Sequence, residues 1–257
     1  MTLSYIVSGF AVGLLVGMTG VGGGSLMTPL LTLLFGVSPS VAVGTDLAFA
    51  SITKSAGTLT HRVRGTIRWD IVKRLCIGAL PAAVVSTLAL KSFGTLSPEI
   101  GQIIRYSIAG SVLLTVVALI FKGRMLNWIN AHPEKQLQGN KLAAATIISG
   151  AVLGVLVTVS SIGAGAIGAT LLVMLYPSMS SAEVAGTDIA YAVPLTAIAA
   201  LGHWWLGSIH WELLISLLIG SLPGITLGSW VARSVPEKFL RVLLAMTLTT
   251  VAVKLIY

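Results

Sequence analysis

The sequence predicts an all-α polytopic membrane protein built from two inverted repeats, each of about five helical elements with a broken or re-entrant Gly-rich hairpin. Three observations carry that expectation: composition, an internal repeat, and the uneven placement of positive charge. Of 257 residues, 55% are hydrophobic and only 9% charged, against roughly 25% charged in soluble domains. Mean hydropathy is +0.95, which excludes a soluble globular protein. The 16 Lys+Arg against 8 Asp+Glu give a net charge of +8, concentrated in short segments between long apolar runs. Such loops fit anionic lipid; nothing points to nucleic acid.

Apolar helical candidates fall at 2–19, 26–35, 40–60, 70–91, 100–122, 142–159, 167–176, 182–203, 211–232 and 237–256. At about 20 residues per crossing they fill the chain as one transmembrane domain, 1–257. The first stretch lacks the basic start and the small-residue cleavage site of a signal peptide, so it reads as a retained helix. Candidates 26–35 and 167–176 are too short to cross, at about 15 Å each. Each follows a full helix after a run of small residues, Gly20-Val21-Gly22-Gly23-Gly24-Ser25 in one case and Ser160-Ser161-Ile162-Gly163-Ala164-Gly165 in the other.

Sliding the chain by 141 residues places Gly9, Gly13, Gly22 and Gly24 on Gly150, Gly154, Gly163 and Gly165. One inserted residue later, Gly44-Thr45-Asp46 falls on Gly186-Thr187-Asp188, His61 on His203, Gly65 on Gly207, Trp69 on Trp211 and Pro81 on Pro223. Positions 44–81 hold 15 identities in 38 with their counterparts, far above what two unrelated apolar segments share. The repeats are expected at 1–122 and 142–257, with a central cytoplasmic loop at 123–141.

Charge sets their relative orientation. Arg62, Arg64, Arg68, Lys73 and Arg74 are read in the loop after the third element of the first half, whereas the equivalent loop after His203 has no Lys or Arg. The positive-inside rule puts the two loops on opposite sides. The basic loops with Lys122, Arg124, Lys135 and Lys141, and with Arg233, Lys238 and Arg241, are then both cytoplasmic. Inverted repeats whose broken helices meet near the midplane are a recurrent architecture of secondary transporters working by alternating access.

The ordered motifs Gly20-Val21-Gly22-Gly23-Gly24-Ser25-Leu26-Met27-Thr28-Pro29-Leu30-Leu31, Gly36-Val37-Ser38-Pro39 and Ala42-Val43-Gly44-Thr45-Asp46-Leu47 resemble the sulfite exporter TauE/SafE family. The resemblance covers both halves. It implies a multi-pass permease of the inner (plasma) membrane, exporting or otherwise moving sulfite, a sulfonate or another small organosulfur or carboxylate anion. The second half departs from the pattern, with Ala164 and Thr170 where a Gly-rich run and a proline are expected.

The residues carry their own reading. In Gly22, Gly23, Gly24 and Ser25, and in Ser160, Ser161, Gly163 and Gly165, bare backbone at the start of a half-length helix offers N–H groups to a small oxyanion. The competing role is close helix packing. Thr45 and Thr187 are candidate substrate contacts beside Asp46 and Asp188. Ser38-Pro39 makes a good start for the following helix, which leaves Asp46 about 10 Å inside it. A carboxylate at that depth faces a cavity, a partner or a coupling ion, unless the helix starts at Thr45 and Asp46 merely caps it. The two aspartates are candidates for proton or sodium coupling. Lys54, on the same face as Asp46 and replaced by Thr196 in the second half, either pairs with Asp46, attracts the anion, or snorkels to the cytoplasmic loop.

His61 and His203 are expected at the interfaces, Trp69 and Trp211 in the aromatic belt, and Cys76 in the core. One cysteine and no nucleotide loop or HExxH exclude a disulfide framework and leave no expected cofactor or metal. Importers, channels, sensors and intramembrane enzymes are alternatives. The last would need a pair such as Ser25 and His61, yet the second half keeps His203 while placing Ala166 at the serine position.

Overall fold

The computed structural model describes residues 2–19, 24–93, 98–132, 136–231 and, near the C-terminus, 245–246, 248–250 and 252–255. All described regular structure is helical: α1 (Thr2–Thr19), α2 (Gly24–Phe35), α3 (Pro39–Val63), α4 (Trp69–Phe93), α5 (Pro98–Ala131), α6 (Gly139–Ser160), α7 (Ala166–Leu175), α8 (Ser181–Trp205) and α9 (Trp211–Val231). The expected last helix, 237–256, is helical wherever it is described. Five of the helices are long and apolar enough to cross a membrane by length and composition. Exposed Ile77, Val85, Ile103, Ile120, Ile148, Val155, Ile215 and Leu222 give the outside an apolar coat, which a bilayer solvates and water does not.

One expected boundary is corrected. The central loop is not 123–141: α5 runs on to Ala131 and α6 begins at Gly139. Lys122 and Arg124 sit on the solvent-reaching end of a helix whose Leu126 and Ile129 still pack inward. The chain leaves helical geometry just before Pro133, as the residue preceding a proline is steered to do.

Equivalent helices end alike. After α3, the N–H of Thr66 donates to the His61 carbonyl (3.1 Å) and that of Gly65 to the Arg62 carbonyl (3.1 Å). After α8, Ser208 donates to His203 (2.8 Å) and Gly207 to Trp204 (2.9 Å). Both are Schellman ends, with Gly65 at φ +65 and Gly207 at φ +73 supplying the left-handed residue such an end requires. The helix starts differ. Ser38 makes no side-chain cap and relies on Pro39, whereas Ser180 and Glu183 close a full capping box at α8.

Packing is also reciprocal. Gly9 and Gly13 of α1 lie against the backbone of Leu217 and Ser221 of α9, and their counterparts Gly150 and Gly154 of α6 lie against Leu75 and Ala79 of α4. In return Gly220 meets Ile6 and Phe10, and Gly78 meets Ile147 and Ala151. Successive glycines meet successively later residues, so α1 runs parallel to α9, and α6 to α4. Small residues let these backbones touch, the main attraction available where lipid removes the hydrophobic drive between helices. Helices α3 and α8 pack on each other at the centre, with Ala42, Val43, Leu47, Phe49, Tyr191, Ala192, Leu195 and Ala199 buried.

Candidate functional site

Helix α3 starts at Pro39, so Asp46 stands seven residues inside it and does not cap it; its exposure is 0%. Asp188 stands equally deep in α8, at 4%. Asp46 is aimed at α2 and Asp188 at the segment that opens α7. Thr28 of the half-length α2 donates its hydroxyl hydrogen bond to Asp46 Oδ2 at 2.5 Å. Ser161, at the end of α6, faces the same carboxylate, yet its Oγ and Asp46 Oδ1 are both buried without a hydrogen-bond partner.

The second hairpin is shaped by Ser161 at φ 58, Gly163 at φ +134 and Gly165 at φ +139, values at the two glycines that an L side chain rarely adopts. The backbone is therefore unwound from Ser161 to Gly165 before α7 begins. Irregular backbone of this kind persists at membrane depth only where protein or a cavity covers it, and Ile162, Ala164 and Ala166 are indeed buried. Asp188 lies against this segment: the Gly165 N–H interacts with its carboxylate. A Cβ added at Gly168, in the first turn of α7, would run into Asp188 Oδ1 and the Tyr191 hydroxyl.

Lys54 joins the two halves. Its ammonium is buried and donates to the Ala164 carbonyl at 2.9 Å, one of the oxygens that unwinding frees, and it interacts with both carboxylates. It therefore does not snorkel to the basic loop 62–68. The first half supplies the cation and the second half supplies the carbonyl it holds.

Other candidates are placed elsewhere. Thr45 accepts the His210 N–H at 3.0 Å ahead of α9, and Thr187 accepts the Arg68 N–H at 3.1 Å ahead of α4. Each serves as a cap for the opposite half, on a helix face turned away from its neighbouring aspartate. The Ser160 hydroxyl bonds the Leu156 carbonyl (2.7 Å) and Ser111 (3.1 Å) and accepts the Ile162 N–H (3.2 Å), so it finishes α6. Gly22 and Gly23 lie outside the described residues; Gly24 and Ser25 open α2.

His203 is not interfacial but fully buried, with its Nε2–H donated to the Thr158 carbonyl at 2.9 Å. His61 is part-exposed, its Nδ1 2.8 Å from Thr66 Oγ1. Trp69 and Trp211 are half-exposed at the starts of α4 and α9, as the aromatic belt requires. Cys76 is half-buried. Thr28 and Tyr191 escaped the sequence reading. Thr28 is a hydroxyl among Leu and Met in a short helix, and Tyr191 follows Asp188 by three residues, on the same face.

Buried charges on central helices, set against two half-length helices in a lipid-facing bundle, define a class of protein: a multi-pass membrane protein with a polar site at bilayer depth. The chain belongs to the Sulfite exporter TauE/SafE family, whose pattern it matches over residues 5–255. It is 34% identical over 256 residues to the probable membrane transporter protein YjnA of Bacillus subtilis, covering all of both chains. It is 26% identical to the probable membrane transporter protein YdhB of the same organism, over 93% of each chain. A third relative, the probable membrane transporter protein MJ0441 of Methanocaldococcus jannaschii, is 25% identical over 95% of this chain and 91% of its own. No solved structure matches the chain.

Proposed function

We propose that the protein is a secondary transporter that exports a small organosulfur or related anion, such as sulfite or a sulfonate, across the cell inner membrane by alternating access. The carrying observation is Lys54, a buried cation that donates to the Ala164 carbonyl at the unwound hairpin and interacts electrostatically with Asp46 and Asp188. A lone lysine at the centre of a membrane helix costs about 3 kcal/mol. Retaining one beside unwound backbone points to a negatively charged ligand. The substrate sits at the two hairpins, Gly22–Ser25 and Ser161–Gly165, where half-helix N-termini and bare N–H groups meet anionic cargo. Asp46, Asp188 and Lys54 couple its movement to a monovalent cation.

Inverted repeats support alternating access. The reciprocal glycine contacts relate the halves by a two-fold exchange, since α1 holds α9 as α6 holds α4. With α1 parallel to α9 and α6 parallel to α4, the basic loop 62–68, the end of α5, the start of α6 and the end of α9 fall on one side, and the uncharged loop 204–210 on the other. That distribution obeys the positive-inside rule. Cysteines placed one at a time at Arg64 and Gly207 in a Cys76→Ala background are expected to label from opposite sides. Labelling of both from one side would remove the inverted arrangement.

The deciding experiment is flux into and out of proteoliposomes with sulfite, thiosulfate, sulfoacetate, taurine and short carboxylates, with and without imposed proton and sodium gradients. Transport of at least one sulfur oxyanion, driven by one of the gradients, is expected. Transport of none would refute the assignment.

A further inference from the structure

Asp188 occupies the position that an incoming oxyanion would seek. It stands at the N-terminal end of α7, where the Gly165 N–H meets its carboxylate and the helix presents its positive end. Lys54 interacts with it from α3. Yet Asp188 Oδ1 and the adjacent Tyr191 hydroxyl, both buried, have no hydrogen-bond partner, and neither has Ser161 Oγ on the same hairpin. Asp46 likewise leaves Oδ1 unpartnered, while the Thr28 hydroxyl holds its Oδ2. Asp188 is set apart by its place at the start of α7, beside Gly168, and it borders polar atoms still available to a ligand.

We propose that Asp188 is an internal stand-in for the transported anion: a substrate anion displaces its carboxylate from the α7 N-terminus and from Lys54, and Asp188 takes up one proton as it yields. The anion gains the N–H groups and the ammonium, and the carboxylate becomes a neutral carboxyl. For a singly charged anion the net charge of the buried site is then unchanged. This matters because an uncompensated charge at such depth is penalised far more than in water. The charged and titratable groups facing Asp188 are Lys54 and Asp46 from α3, Tyr191 from its own helix, Cys76 of α4 through Tyr191, and Lys122 of α5. From α7, Gly168 faces its carboxylate. A sodium ion fits less well than a proton, since the Ala164 carbonyl that would coordinate it already accepts from Lys54.

The inference rests on the anion-transport reading, and the test separates the two. Methanesulfonate is the probe, because it stays a monoanion across the whole working pH range. Titrated into the purified full chain in weakly buffered solution, it should draw in one proton per anion bound. Above the transition its affinity should fall about tenfold per unit rise in pH, the slope of a single linked proton. Asp188→Asn should bind without proton uptake and with affinity independent of pH, while Asp70→Asn, an exposed carboxylate at the start of α4, keeps the uptake. In wild-type protein labelled with 13C-aspartate, binding should raise a new protonated-carboxyl infrared band, a readout that does not depend on the variants folding. Binding without proton uptake, or uptake that survives Asp188→Asn, overturns this inference and leaves anion transport standing. Failure of methanesulfonate, sulfite and thiosulfate all to bind overturns both.

Discussion

Helices α3 and α8 are repeat equivalents of the same length, and they hold the same Gly-Thr-Asp at the same depth and the same Schellman end. They differ where polarity matters. Lys54 of α3 stands opposite Thr196 in the alignment, Phe49 opposite Tyr191, and Val41 opposite Glu183. Phe49 is an apolar core residue, whereas Tyr191 brings an unpartnered hydroxyl to Asp188. Thr196 returns its hydroxyl to the Ala192 carbonyl of its own helix (2.8 Å), whereas Lys54 reaches across to the other hairpin. The shared positions build the frame, and the divergent ones make a single asymmetric site within it.

The strongest way to break this comparison is to make the halves alike. Lys54→Thr copies the second half into the first and leaves two buried carboxylates with no ammonium. We expect loss of anion flux and a stability decrease of about 3–5 kcal/mol, the penalty for removing one partner of a buried charged cluster. Denaturant or thermal unfolding in detergent measures it. Adding Asp188→Asn should recover much of the stability but not the flux. Full stability in the single variant would mean that water solvates the cluster.

Next comes the frame itself. Valine at Gly78 or at Gly220 drives a side chain into the backbone of the partner helix, Ile147 in one case and Ile6 in the other. Backbone cannot yield as a flexible side chain does, so each substitution should cost about 3 kcal/mol or more. The two should be equal within error. Gly110→Val, with open space around its Cβ, should have no such effect. Unequal losses at Gly78 and Gly220 would show that the halves carry different loads.

Much of this frame was legible in the sequence because its signals are local or periodic: apolar runs, breaks in them, and a repeat at fixed offset. The depth of Asp46 followed from Ser38-Pro39 alone. What escaped depends on contacts between distant residues. The partner of Lys54 is a backbone carbonyl 110 positions away; the run Ser160–Gly165 announces the break but not which side chain takes the freed oxygen. Thr45 and Thr187 looked like site residues because they adjoin the aspartates, but consecutive residues of a helix point about 100° apart. Tyr191 could have been found by asking which apolar position of one repeat turns polar in the other. The length of α5 was missed because its charged end, Lys122 and Arg124, resembles a loop while Leu126 and Ile129 keep an inward face.

The cross-half caps test the reciprocity on a finer scale. Thr45→Val leaves the His210 N–H without its acceptor, and Thr187→Val does the same to Arg68 N–H. A lost helix-start hydrogen bond costs about 1–2 kcal/mol. Valine keeps the shape, so the two losses should match and flux should persist at reduced stability. Loss of flux with stability retained in either variant would restore that threonine to the substrate site.

The smallest effect is expected at the surface contacts of Arg68, which have no counterpart at its repeat equivalent. Arg68 lies 3.5 Å from Asp70 and 3.8 Å from Glu183, all three substantially exposed. Its repeat equivalent is His210, which instead accepts the Leu213 N–H at 3.1 Å through Nδ1. Exposed pairs of this kind gain little over their hydrated partners and are screened by salt. Arg68→Gln should therefore leave stability within error in physiological salt, and any shift seen at low salt should vanish as salt is added. The Thr187 bond to the Arg68 main chain survives the substitution, so the start of α4 stays anchored. A salt-independent destabilisation would show that the guanidinium anchors the N-terminal end of α8, giving that end of the frame a lock with no equivalent at His210.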